Sequence, residues 1–248
     1  MKNLLYLFLC LCNTYLLASQ NKTVTVTYNV IVDKDEIMEK AVEKRGKDDF
    51  LNQFYLKALA EYKDYTFKLV KGDTITEFYL SNYQDQSVEK GNDIKGKAFP
   101  MAGYIGAIYQ TRDKVYKYLA FENLFSFHTI YNEWKITSEE KMIDGRRCYK
   151  ALGKYIVVHG DTIFNHALHA WFCPDLPYSI GPMGYGGLPG LILEIRIRNA
   201  TYIASQIDLN STAKIDLDFF NKHKKVSQEV VNKKIDDDME NLRKSLKE

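Results

Sequence analysis

The residues best suited by type to do chemistry are the histidines of "HALH", His166 and His169, with His159 and Asp161 close by in the chain. Imidazoles and a carboxylate at short spacing are zinc ligands. The stretch is rich in strand formers around Gly160-Asp161, however, and on a strand two residues three apart point to opposite faces. Imidazoles so placed do not share an ion, so His166 and His169 read as ordinary surface residues and no metal ligand set is assigned. Hydrolysis has no better footing. The chain has no Gly-x-Ser-x-Gly elbow, and none of its 5 histidines has a marked serine or cysteine partner. Carboxylates sit in solvated runs such as Asp236-Asp237-Asp238, and Asp73 and Asp161 occupy "GDTI" stretches where a turn role suffices. No catalytic residue and no cofactor is assigned.

The stretch "GPMGYGGLPG", Gly181 to Gly190, raises a third chemistry, a phosphate cradle. The details fail. Pro189 stands where a dinucleotide fingerprint needs its third glycine, proline removes a backbone donor, and no Gly-Lys-Ser/Thr ending is present. The chain continues instead into "LILEIRIR", an apolar run typical of a buried strand. Gly187, Leu188, Pro189, Gly190, Leu191 and Ile192 are therefore read as a rigid structural corner that launches a strand, with a ligand-facing loop as the alternative.

The elements that must position these residues are mostly strands. "TVTVTYNVIV" alternates Val24, Val26, Tyr28, Val30 and Val32 with polar residues, the signature of a sheet with one wet face. Asp48 is placed to cap a long helix whose apolar face is Leu51, Phe54, Tyr55, Ala58, Leu59 and Tyr62, after a shorter, more charged helical turn before Gly46. From Tyr65 to Leu209, Gly72-Asp73, Asp144-Gly145 and Gly160-Asp161 each separate β-rich arms as hairpin turns, and Asp85 to Gly106 reads as a long loop. Ser227 is placed to cap a final amphipathic helix with Val231, Ile235, Met239, Leu242 and Leu246 in one stripe.

The two ends and the cysteines speak to compartment. "MKNLLYLFLCLCNTYLLASQ" has one charge, Lys2, then an apolar stretch and a small-residue exit, so 1–19 reads as a cleaved signal peptide with Gln20 as the new first residue. Leucines before Cys10 and Cys12 argue against lipid attachment, and no transmembrane segment is expected after cleavage. Cys148 and Cys173 then remain, an even pair that in an oxidising compartment is most simply a disulfide; two buried thiols are the alternative. A formal net charge of +2 offers no field for a polyanion, which excludes nucleic-acid binding as an expectation. The 248 residues divide as signal 1–19, one β-rich domain 20–215 and a charged helical tail 216–248.

"GLPGLI" at Gly187 to Ile192 is also the string that names a family of exported Bacteroidota proteins, and the chain resembles that family from roughly Val24 to Leu209. "EWKITSEEKMIDGRRCYKA", Glu133 to Ala151, looks like its central hairpin, and "AWFCPDLPYSIGPMGYGGLPGLILEI", Ala170 to Ile195, like its hallmark; Cys173 departs from the pattern. The resemblance implies an envelope protein of unknown activity in the periplasm or at the outer membrane. It also implies a β-dominated α+β fold similar to the lipoprotein carriers. In such a fold a single curved antiparallel sheet, a half-barrel, packs on a long helix and shelters an acyl chain.

Tyr116, Tyr118, Phe121, Phe125, Phe127, Tyr131 and Trp134 form a dense aromatic cluster that serves as core or lines an apolar cavity. Two functions stay open. One is a non-enzymatic envelope protein whose partner is an apolar ligand or an outer-membrane protein. The other is a secreted hydrolase or metal-dependent enzyme whose site assembles only in space.

Overall fold

The computed structural model describes residues 23–45, 65–81, 104–131, 133–159 and 162–245. Strands dominate it. The first, β1 (Thr23–Val32), is followed by helix α1 (Lys34–Arg45) and then by β2 (Thr66–Lys71), β3 (Thr76–Leu80), β4 (Ile108–Gln110), β5 (Lys114–Leu119) and β6 (Leu124–Thr129). Five longer strands come next: β7 (Lys135–Ile143), β8 (Arg146–His159), β9 (Thr162–Cys173), β10 (Leu191–Ile197) and β11 (Ala200–Ser211). The chain ends with α2 (Leu217–Lys222), β12 (Lys224–Ser227) and α3 (Gln228–Ser245).

All 12 strands join one sheet in the order β12-β6-β5-β4-β3-β2-β1-β11-β10-β9-β8-β7. Two meanders, β2 to β6 and β7 to β11, are sewn together by β1, which pairs with β2 on one side and β11 on the other. The alternation read in β1 holds over its second half. Val24, Val26, Tyr28, Val30 and Val32 are buried, and Asn29 and Ile31 are exposed, but Thr23 and Thr25 on the other face are buried too. Two-residue turns close the hairpins where Asp144 and Gly145 (φ 48° and 69°) and Arg198 (φ 54°) take the left-handed backbone that tight turns need.

The sheet is mixed rather than wholly antiparallel, because β12 runs parallel to β6. A four-residue strand arriving after a helix can align only with the edge it meets, and the charged tail thus contributes a strand as well as its helices. Ser227 caps α3 as its spacing suggests, with the Val230 N–H donating to its Oγ, and Val231 is buried while Ile235 stays exposed. The charged turn before Gly46 is a full helix, α1, whose Ile37 and Met38 pack on the main core. The long helix expected from Asp48 to Tyr62 and the signal segment 1–19 lie outside the described residues.

Chain length forces the sheet to curl. Strands β6 and β7 stand ten positions apart in the order, about 48 Å across a flat sheet. Only residues 130–134 connect them, and a link of that length reaches roughly 20 Å at full extension. The glycine-rich loop after β9 shows which face is concave. Gly181 lies against Ile192 of β10 and Gly184 against Ile108 of β4 and Val115 of β5, strands distant in the order yet reached within four residues. The concave face holds the larger core, in which Leu176, Ile180, Met183, Tyr185 and Leu188 of the loop pack on β1, β2, β3 and β8 to β10. Alternation sends Tyr118 and Phe125 to the convex face, where they meet Tyr109 and Phe220.

The corner at Gly190 is set by close approach. A Cβ there would lie 2.6 Å from the Cys173 carbonyl carbon and 2.9 Å from the Pro174 nitrogen, atoms of backbone that cannot swing aside. Gly190→Ala is expected to lower stability by on the order of 3 kcal/mol. Gly145→Ala, with nothing within 4 Å of its new methyl, is expected to cost only about 1 kcal/mol for its left-handed backbone. Urea denaturation midpoints of the two variants check the order; equal losses would refute this account of the corner.

Candidate functional site

A cleft of about 420 Å³ opens at the seam where the curled sheet brings its two ends together. Lys117 of β5, His128 and Thr129 of β6, and Tyr155 of β8 form its sides, with Tyr131 and Glu133 from the β6–β7 connection and Met183 to Tyr185 from the glycine-rich loop. Each group arrives for a local reason. On β5 the residues alternate, so Val115, Lys117 and Leu119 share one face, and the register sets Ser126 and His128 of β6 on that same face. Val115 and Leu119 are buried and mark this face as inward.

The loop that walls the cleft is held by its own backbone. Tyr185 N–H donates to the Pro182 carbonyl at 3.2 Å, Leu191 N–H to Leu176 at 2.9 Å and Ile192 N–H to Ile180 at 3.0 Å. The indole N–H of Trp134 donates to the Gly186 carbonyl at 2.7 Å, and Tyr28 reaches from β1 to donate to the Ile192 carbonyl at 2.7 Å. Met183 sits at φ 61°, a backbone that a long side chain adopts only under constraint, and its side chain is buried along the cleft wall. Tyr131, Trp134 and Tyr185 pack edge to face, with centroids 5.0 to 6.3 Å apart.

Electrostatics single out Lys117. Its ammonium has no hydrogen-bond or ion-pair partner among the described residues, and desolvation lowers its pKa to about 8. His128 beside it is lowered to about 4, first by burial and then by the Lys117 charge, so its ring is neutral near pH 7. Such a site can hold an anion on a half-dried ammonium while thioether and aromatic walls take up an apolar body. Ser126 stands directly opposite Lys117 in the ladder, but it is fully buried and its Oγ has no partner among the described residues.

The residues singled out in the sequence fall elsewhere. His166 stacks on Tyr155 at 6.2 Å, and His169, three residues on, is exposed. The aromatic cluster divides: Tyr116, Tyr118, Phe125 and Phe127 pack on the convex face, Phe121 is 73% exposed, and Tyr131 and Trp134 belong to the seam. The corner residues Leu188, Gly190, Leu191 and Ile192 are buried, with Gly187 and Pro189 exposed, and the glycine stretch before them faces the cleft as well. Cys148 and Cys173 are free thiols, not the disulfide expected from their pairing. The register of β8 and β9 makes them cross-strand neighbours. Burial, reinforced by the other thiol, pushes the Cys148 pKa up to about 12. Sequence reasoning misses Lys117 and His128, although a lysine between Val115 and Leu119 on an alternating strand is a legible anomaly.

Fold and cleft define a class: a β-sheet protein with one long, curled, open sheet and a loop folded into its concave face. Residues 162–194, from β9 through the loop into β10, match a family described as "Protein of unknown function (Porph_ging)". No curated protein matches the chain. Among solved structures the chain is similar to PNGF-II in a C2 crystal form, at 16% identity and a TM-score of 0.45 over 84% of this chain and 31% of that one. It is also similar to PNGF-II in a P21 form, at 15% and 0.49 over 86% and 32%. An uncharacterized conserved protein from Thermus thermophilus is matched at 8% and 0.35, over 84% and 91%. The chain spans about a third of the PNGF-II structures. At these scores the likenesses establish neither a shared fold nor a shared activity.

Two outcomes are expected of the site. Unfolded, Lys117 keeps its proton to about pH 10.5, whereas folded it releases it near 8, so the folded wild type gains stability as pH rises across that window. Lys117→Met is therefore expected to raise the thermal midpoint by roughly 3–6 °C at pH 7, and the gain should vanish above pH 10.5. Calorimetry at the two pH values checks it; a midpoint that falls at pH 7 would mean the ammonium is paired after all. For the thiols, iodoacetamide at pH 8 should leave the native protein unmodified and alkylate both Cys148 and Cys173 after denaturation without reductant. Intact mass decides, and an unalkylated denatured chain would show a bond.

Proposed function

We propose that the chain is an exported cell-envelope protein of the GLPGLI type that binds an apolar ligand in the seam cleft without transforming it. The observation that carries this reading is the wall of the cleft: Met183, Tyr155, Tyr185 and Tyr131 on facing sides of a space of about 420 Å³. That size falls within the range of roughly 300–1,000 Å³ typical of small-molecule sites. Export rests on the signal-like residues 1–19 and family type on the string Gly187 to Ile192, which the match over 162–194 overlaps. The strand-rich pattern of that family looks similar to the half-barrel carriers, in which a curved sheet shelters an acyl chain; here the chain's own loop fills the concave face, which leaves the seam cleft as the space for a ligand.

A second reading has one observation in its favour. Ser126, Lys117 and His128 share a face, which is the residue set of a serine hydrolase activated by an amine. The Ser126 hydroxyl is buried away from the cleft lining, so a substrate in the cleft does not meet it.

Native mass spectrometry of protein purified from the periplasm of a Gram-negative host tests both. The expected result is a chain beginning at Gln20 that carries a non-covalent lipid-like mass. A stoichiometric metal ion, or a covalent adduct on Ser126 after treatment with a fluorophosphonate, would overturn the binding reading in favour of an enzyme.

A further inference from the structure

Resting on the cleft as the binding site, we propose that its ligand is an amphiphile with a single negative charge at one end, seated on the Lys117 ammonium with its apolar body against Met183, Tyr155 and Tyr185. The geometry supplies each part. Lys117 projects from β5 into the floor of the cleft, and no carboxylate among the described residues lies within ion-pair distance of it. A cation held in half-dried surroundings without a partner is costly to fold around, and an incoming anion removes that cost. The Tyr131 hydroxyl at the mouth cannot take this role, because it already donates to the Glu133 carbonyl and accepts from the Lys154 N–H, both at 2.8 Å.

Charge count limits the head group to one negative charge. The cleft lining holds two lysines, Lys117 and Lys154, and one carboxylate, Glu133, while His128 is neutral near pH 7. One net positive charge remains, which matches a carboxylate and leaves a phosphate dianion with an unbalanced charge facing Glu133. An ammonium is a point charge with three donors and suits a small monoanion in this way. The opposite wall is apolar and buried. Met183 and Tyr185 are both within a tenth of full burial, which fits an alkyl body better than a sugar or a peptide backbone needing many hydrogen bonds.

The test uses the mature chain with three probes that share a twelve-carbon tail: dodecanoate, dodecanol and dodecyl phosphate, titrated calorimetrically at pH 7 and below their micelle concentrations. Dodecanoate is expected to bind at least tenfold more tightly than either of the others. Lys117→Met should erase its advantage over dodecanol without abolishing dodecanol binding, and Lys117→Arg should retain it. Should Lys117→Met misfold, the Arg variant and the ranking of probes on the wild type still decide. Equal binding of dodecanoate and dodecanol would overturn the anionic head while leaving an apolar cleft intact. Tightest binding of dodecyl phosphate would overturn the single charge. Failure of all three probes to bind would instead sink the cleft as a lipid site.

Discussion

The structure depends on covering β10. Three consecutive residues of that strand, Leu191, Ile192 and Leu193, are fully buried. A register shift between Ile192 and Glu194 breaks the alternation of the strand there, and all three side chains join the larger core. The strand therefore needs a lid, and the loop from Leu176 to Leu188 is that lid, brought back over it by the corner at Gly190 and tied down where the Leu191 and Ile192 N–H groups donate to the Leu176 and Ile180 carbonyls. Burying one such aliphatic side chain stabilises by roughly 1.5–3 kcal/mol, so the lid is held by packing, and its few hydrogen bonds serve chiefly to fix register.

The same lid makes the cleft. A loop that must touch Ile192 at one end and Val115 at the other is short enough to require a curled sheet, and the curl in turn brings the β6–β7 connection beside β8. The site is thus a by-product of closure, lying where two meanders distant in strand order face one another. The convex side achieves closure differently. There Glu77 is buried with its carboxylate accepting from the Tyr109 hydroxyl at 2.8 Å and the Asp216 N–H at 3.0 Å, and burial raises its pKa despite those bonds. A satisfied buried carboxylate on one face and an unsatisfied ammonium on the other are different things. The first fastens the segment before α2 to the sheet, and the second has no partner among the described residues.

Much of this is legible in the sequence for a physical reason. Period-two alternation in β1 and glycine–aspartate turns are local signals, and they set strands and hairpins without reference to the rest of the chain. Curvature is not legible from strand patterns, since it arises from the pairing order, and a five-residue link means little until its two strands are known to be far apart. The parallel pairing of β12 escapes for the same reason: "KKVS" has no pattern of its own and becomes a strand only because β6 offers it an edge. The aromatic cluster reads as one feature because its members are close in sequence. Alternation divides them between faces, which leaves Tyr131 and Trp134 at the seam and the others in the convex core.

Lys117 shows where such reading can be sharpened. Its neighbours Tyr116 and Tyr118 draw attention as aromatics, but the informative comparison is with Val115 and Leu119, the residues two before and two after it. An alternating strand places all three on one side, so a charge there must either reach solvent along its own stem or find an anion. The stem leads into a cleft walled by methionine and tyrosine, and partial burial there lowers the pKa of the ammonium. A methionine of similar length would satisfy the packing and remove the electrostatic cost. That a lysine stands in its place is what an anionic ligand would explain, since no described residue pairs with it.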